Sequence, residues 1–162
     1  MMKCSAYLDI ETTGLSSKYN DLTVIGLHLD DGGDEVIQLV GDEIGASKLV
    51  NIIEKADIVY TYNGAQFDLP FIRKKLSVDI KKHCRHEDLK YACWQNNLYG
   101  GMKEVERKLG IKRNLPGVDG WMAVQLWHKY QQSGCTRSLN TLLEYNKEDV
   151  LNLKKIRNKL RT

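Results

Sequence analysis

Three apolar, strand-like runs follow one another within the first forty residues, and that order limits the fold more than any other feature. Residues 3–10 read as a buried strand, and residues 22–29 (L-T-V-I-G-L-H-L) and 34–40 (ending E-V-I-Q-L-V) read as two more. The Asp-Asp-Gly-Gly stretch between the last two is a hairpin signal, because Asp and Gly adopt turn conformations that other residues resist. Ala46, Leu49, Val50, Ile52 and Ile53 then recur with helical spacing, which predicts a helix over 42–55. A fourth strand, D-I-V-Y-T-Y at 57–62, runs into Asn63-Gly64, a helix follows over 67–76, and Val78-Asp79-Ile80 opens a short fifth strand. From about residue 87 the pattern is almost wholly helical, punctuated by Gly100-Gly101, Gly110 and Leu115-Pro116-Gly117. Strands first, then alternation, then a helical tail predicts an α/β sandwich around a mixed sheet. The 162 residues suffice for one core, and with no repeat or linker the expectation is a single domain over 1–162.

The first strand carries Y-L-D-I-E-T-T-G-L at 7–15. Side chains alternate along a strand, so Asp9 and Glu11 point the same way. Two carboxylates held that close repel unless a cation lies between them, and hard oxygen ligands suit Mg²⁺ or Mn²⁺. Asp68 stands where the fourth strand has turned into a helix, beside Phe67, Leu69 and Phe71. Such a carboxylate can simply cap the helix, or it can reach the first strand's pair if the two strands are neighbours. In E-Y-N-K-E-D-V-L-N-L at 144–153, Tyr145 and Asp149 are four apart and share a helix face beside Leu142, Val150 and Leu153. Asp149 is then either a solvated charge among Lys147, Glu148, Lys154 and Lys155, or a core-side acid that needs a partner.

Charge is distributed unevenly. Residues 1–57 hold four Lys/Arg against eleven Asp/Glu, whereas residues 58–162 hold twenty against ten. An acidic part carrying the carboxylates, joined to a basic part, suits a polyanion held beside a cation. No apolar run approaches the roughly 20 residues that cross a bilayer, so no membrane partner is expected. The N-terminal M-M-K-C-S-A-Y-L-D has no signal-peptide pattern, and Cys4, Cys84, Cys93 and Cys135 are scattered as reduced thiols would be. The expected location is cytoplasmic, with no obligate protein partner evident.

D-I-E-T-T-G-L, N-G-A-Q-F-D-L-P-F and Y-N-K-E-D-V, in that order, resemble the DEDD superfamily of 3′–5′ exonucleases. The Tyr-x-x-x-Asp ending is similar to its tyrosine-type branch. G-M-K-E-V-E-R-K-L-G-I with D-G-W-M-A-V-Q-L-W-H-K-Y most resembles the YprB-like ribonuclease-H-like domain family, and the likeness runs from about residue 5 to 155. It implies a ribonuclease-H-like three-layer α/β fold, with a mixed sheet of five to six strands and a helical C-terminal part. Some members carry further helical repeats, so this chain is expected to be a stand-alone version.

The resemblance also implies roles. Asp9, Glu11 and Asp149 match the ligands of a first metal that activates the attacking water. Asp9 would bridge to a second metal held partly through water by Asp68, and Tyr145 would position the nucleophile. Thr12, Thr13, Gly14 and Leu15 resemble the turn that meets the terminal nucleotide, with Asn63 and Phe67 lining the same cleft. Two Mg²⁺ or Mn²⁺ ions about 3.5–4 Å apart stabilise both the attacking and the leaving oxygen of an in-line phosphodiester displacement. The implied activity is 3′–5′ exonucleolytic hydrolysis of single-stranded DNA or RNA ends. A structure-specific endonuclease on the same fold and a nucleic-acid-binding module with little turnover are the alternatives.

Other residues carry weaker signals. His83, Cys84, His86 and Cys93 lack the C-x-x-C spacing of a zinc site. Asp88 is either a helix cap or a further site residue. Trp94, Trp121, Trp127, Tyr99 and Tyr130 can stack on bases, although the spacing of Trp121, Val124 and Trp127 points to core. Lys103, Lys112 and Arg113 can meet phosphate or lie on a solvated helix face.

Overall fold

The computed structural model describes residues 3–161. Among these residues five strands form one mixed sheet: β1 (Cys4–Thr12), β2 (Leu22–Leu29), β3 (Ile37–Val40), β4 (Ala56–Thr61) and β5 (Arg85–Asp88), in spatial order β3-β2-β1-β4-β5. β1, β2 and β3 pair antiparallel, while β4 and β5 run parallel to β1. The α-helices described around the sheet are α1 (Ala46–Ile53), α2 (Asp68–Leu76), α3 (Leu89–Gln95), α4 (Met102–Leu109), α5 (Gly120–Ser133) and α6 (Thr136–Leu160). This is the expected three-layer α/β arrangement with a helical C-terminal part.

The alternation of β1 explains the layers. Ala6, Leu8 and Ile10 enter one apolar cluster with Leu49 and Ile53 of α1 and Phe71 and Ile72 of α2. Tyr7 faces the opposite way, into a cluster with Leu89, Cys93, Val105, Val150, Leu153 and Ile156 from α3, α4 and α6. Asp9 and Glu11 share the parity of Tyr7, so the strand delivers both to the α6 side. Beyond them Val24 packs with Trp127, Leu142 and Tyr145, closing the α5–α6 layer.

Two expectations about strands are corrected. Val78-Asp79-Ile80 opens no strand: Ser77 turns left-handed (φ 56°), Asp79 accepts from Lys81 N at 3.2 Å, and a 3-10 turn follows over Ile80–Lys82. Val78 and Ile80 are instead buried plugs under the α1–α2 face. The fifth strand is the polar Arg85–Asp88, whose edge position beside β4 demands no apolar alternation. The third strand begins at Ile37 rather than 34, because Val36 packs toward α6 and the Glu35 carbonyl pairs with His28 Nδ1 at 2.7 Å. The 30–36 connection is therefore a longer loop, tied down by Lys154 at 3.0 Å from Asp30 and 3.7 Å from Asp34. Among the described residues no helix is long and apolar enough to cross a membrane.

Candidate functional site

β1 brings Asp9 and Glu11 to the edge where the parallel strands end. α6 crosses the same face with Asp149 and Tyr145. Oxygen atoms of Asp9, Glu11 and Asp149 all lie within 4.8 Å of one another, and this is the one such His/Cys/Asp/Glu group among the described residues. Glu11, Asp149 and Tyr145 are buried, while Asp9 keeps an open edge. Asp68 opens α2 just after β4, the parallel neighbour of β1. Its Oδ2 accepts from Ile10 N at 3.2 Å, so it docks on the strand that carries Asp9 and Glu11 but stays outside the close trio.

Burial pushes all four acids upward, because a carboxylate loses its hydration there. Asp9 rises well above the ordinary carboxylate value through burial and then the charges of Asp149, Glu11 and Asp68. Glu11 does so through burial and then Asp149. Asp68 is pushed up to about 7 by burial, against the opposing pull of the Ile10 amide. Asp149 is pushed up to about 6 by burial, restrained by the Arg113 guanidinium. The Tyr145 hydroxyl lies far above its usual value, through burial and then the charges of Asp149, Glu11 and Asp9. It therefore remains protonated at neutral pH.

A hard, all-oxygen donor set whose members repel one another fits a divalent cation of the Mg²⁺ or Mn²⁺ kind. Asp9 is also aligned from below. Asn146, fully buried, donates through Nδ2 to Asp9 O and Oδ2, each at 3.2 Å. Gln38 of β3 donates to Asn146 Oδ1 at 2.9 Å and to Leu143 O at 2.8 Å. Room for that amide comes from Gly26, the β2 residue directly opposite Asp9. A Cβ there would overlap Asn146 Oδ1 and lie 2.9 Å from Val150 Cγ2. Asn146 and Gln38 stand outside the residues expected at the site; Gly26, inside the strand run L-T-V-I-G-L-H-L, is the signal that marks a close approach.

The carboxylates open into a cleft of about 590 Å³. Thr12, Thr13, Gly14 and Leu15 line it, with Phe67, Trp121, Val124 and Gln125 across from them. The β1 ladder slips its register between Glu11 and Thr12, and the chain then folds into a braced turn. Thr12 Oγ1 donates to Gly14 O at 2.6 Å, Asp21 N to Thr13 Oγ1 at 2.9 Å, and Ser16 N to Asn20 Oδ1 at 3.0 Å. Leu15 is held out with 88% of its surface exposed, and Trp121 faces the same cleft at 71%. Trp121 thus departs from the expected core role, which Trp127 fulfils.

Several candidates lie elsewhere. Asn63 does not line the cleft; its Oδ1 accepts from Lys90 Nζ at 3.2 Å. Asp88 is a cap and a staple: it accepts from Lys90 N at 3.0 Å and from Asn63 N and Ala65 N at 2.8 and 3.1 Å. His86 pairs with Thr61 Oγ1 at 2.8 Å and His83 with Glu54 at 3.2 Å, so neither joins a zinc cluster. Lys112 lines a separate cleft behind the 110–115 loop with Lys147 and Lys155. Arg113 is no surface phosphate contact, for it is buried against Glu106 and Asp149.

A family profile described as the RNase_H superfamily matches residues 6–161, nearly the whole chain. The chain belongs to the RNase_H superfamily. Solved structures agree on this fold. A nuclease in its apo form superposes with a TM-score of 0.66 at 24% identity, over 98% of this chain and 72% of that one. Brucella melitensis NrnC bound to pGG gives 0.69 at 21% identity, over 98% and 72%. NrnC of the same organism with bound Mg²⁺ gives 0.66 at 19%, over 99% and 73%. A search of curated proteins finds no match. The matched span contains Asp9, Glu11, Asp68, Tyr145 and Asp149.

Proposed function

We propose that this RNase_H-superfamily protein is a divalent-metal-dependent 3′–5′ exonuclease of the tyrosine-type DEDD class, acting on single-stranded ends. The observation that carries the reading is the close trio of Asp9, Glu11 and Asp149 at the floor of a cleft walled by apolar side chains. The Mg²⁺-bound and pGG-bound states of NrnC, a protein of the same fold, support a metal and a short nucleic acid as the ligands.

Asp9, Glu11 and Asp149 would hold one ion, and Asp9 with Asp68 a second. Two such ions supply charge stabilisation to the attacking and leaving oxygens of a phosphodiester. The chain's own residues do the rest. The protonated Tyr145 hydroxyl orients the nucleophilic water, because its raised pKa rules it out as a base at neutral pH. The braced 12–15 turn and Phe67 seat the terminal nucleotide, and Trp121 offers a face on which a base can stack.

The test is a gel assay with 5′-labelled DNA and RNA oligonucleotides in Mg²⁺, Mn²⁺ or EDTA, beside Asp9→Asn and Tyr145→Phe. The expected result is a metal-dependent ladder shortening from the 3′ end, absent in Asp9→Asn and slowed about 100-fold in Tyr145→Phe through loss of orientation. Cleavage of substrates with a blocked 3′ end would replace the exonuclease reading with the endonuclease one.

A further inference from the structure

The segment G-M-K-E-V-E-R-K-L-G-I-K-R at 101–113 supplies no member of the carboxylate trio, yet it turns charged side chains toward α6. Glu106, in the middle of α4, is 1% exposed. Gly110 ends that helix in a left-handed conformation (φ 73°) and sends the chain back, so that Arg113 returns to Glu106. The guanidinium grips the glutamate with both prongs, Nε to Oε2 at 2.5 Å and Nη2 to Oε1 at 2.6 Å. The same Nη2 lies 2.6 Å from Asp149 Oδ1. Oδ1 makes no aligned hydrogen bond, so the attraction there is an ion pair. Neighbouring contacts fix the loop: Asn114 N and Leu115 N donate to Glu148 at 2.6 and 3.2 Å. Lys103 Nζ donates to Val118 O and sits 5.2 Å from the centre of the Tyr145 ring.

We infer that Glu106 and Arg113 are positioning residues, which fix the Asp149 carboxylate for cation binding by holding one of its oxygens. The inference rests on the reading of Asp149 as a ligand. A rotating carboxylate on α6 would present its oxygens to the trio only part of the time, and a partner beyond the ligand removes that freedom. Arg113 is neutralised by Glu106 through the paired fork, so it orients Asp149 without adding a net positive charge that competes with the ion. Arg suits the task because its planar fork grips Glu106 with both prongs and so fixes its charge beside Asp149, which a lysine ammonium does not do.

A purely structural ion pair predicts something different. Buried pairs can be replaced by apolar residues of similar volume without loss of folding. The double variant E106L/R113M, whose folding is checked by circular dichroism, therefore separates packing from positioning. Two readouts apply: Mn²⁺ binding followed by electron paramagnetic resonance without substrate, and the Mg²⁺ dependence of oligonucleotide cleavage. The expected result is a rise of about 10- to 100-fold in the metal concentration giving half-saturation, with the KM for oligonucleotide unchanged. R113K, keeping charge but losing the fork, should recover only part of the loss. Wild-type metal response in a folded double variant overturns the inference. If the double variant does not fold, E106Q takes its place, and a folded E106Q with wild-type metal response overturns it equally. Wild-type protein that neither binds Mn²⁺ nor cleaves would sink the nuclease reading itself, a result distinct from either.

Discussion

Asp9→Asn should make the metal-free protein more stable while destroying its metal response. Carboxylate oxygens of Asp9, Glu11 and Asp149 lie within 4.8 Å of one another. Two unit charges at 4.8 Å repel by roughly 3.5 kcal/mol at an effective dielectric near 20. Removing the Asp9 charge relieves two such repulsions, and the asparagine retains a side-chain oxygen to accept from Asn146. Burial and mutual repulsion push Asp9 and Glu11 well above the ordinary carboxylate value, so partial protonation within the trio already relieves some of the strain at neutral pH. A net gain of about 1–4 kcal/mol at pH 8 follows, which for a chain of 162 residues is a rise in Tm of roughly 3–12 °C in EDTA. The pH dependence has a definite sign. These acids have folded-state values above their unfolded ones, so the native state binds the extra protons and its stability falls as pH rises from about 4 through about 7. Asp9→Asn should flatten that fall, and the two proteins should converge near pH 4. Saturating Mg²⁺ should reverse the order at pH 8, because only the wild type gains binding energy from the ion. Differential scanning fluorimetry across pH 4–9, with EDTA and with Mg²⁺, measures all of this. A lower Tm for Asp9→Asn in EDTA at pH 8 would refute the reasoning.

Three further outcomes can be checked directly. Gly26→Ala forces a methyl group against Asn146 and Val150, so it should lower stability by about 1–3 kcal/mol in urea unfolding and weaken metal response through Asp9. Asp88→Ala removes the cap of α3 and strips acceptors from Asn63 N and Ala65 N; a loss of about 2–4 kcal/mol is expected, with the Mg²⁺ dependence of cleavage unchanged. Trp121→Ala should raise the KM for oligonucleotide by about 5- to 150-fold, since base stacking on an aromatic ring is worth about 1–3 kcal/mol, and leave Mn²⁺ binding alone.

Local pattern and final position diverge where side chains answer to distant partners. The edge strand Arg85–Asp88 is polar because one neighbour, β4, is all it requires, whereas Val78 and Ile80 look strand-like because they plug the core. Trp121 and Trp127 share a helix and a helical spacing, yet one lines the cleft and the other joins the core. Arg113 looks like any loop arginine until Gly110 folds it back onto Glu106.

The sequence by itself determined the periodicities, and with them the parity of β1: whatever the fold, Asp9 and Glu11 had to share a face opposite Leu8 and Ile10. It also determined that Tyr145 and Asp149 share a face of α6, since both facts depend only on strand and helix repeats. Only the tertiary structure decided that these two faces meet. The crossing of α6 over β1 and β2 is set by the packing of Val150, Leu153 and Ile156 and by the space above Gly26. Contacts such as Asn146 to Asp9, 137 residues apart, have no local signature. Burial of the carboxylates, which raises their pKa values and makes a cation the fitting partner, is likewise a property of the assembled layers and of no segment alone.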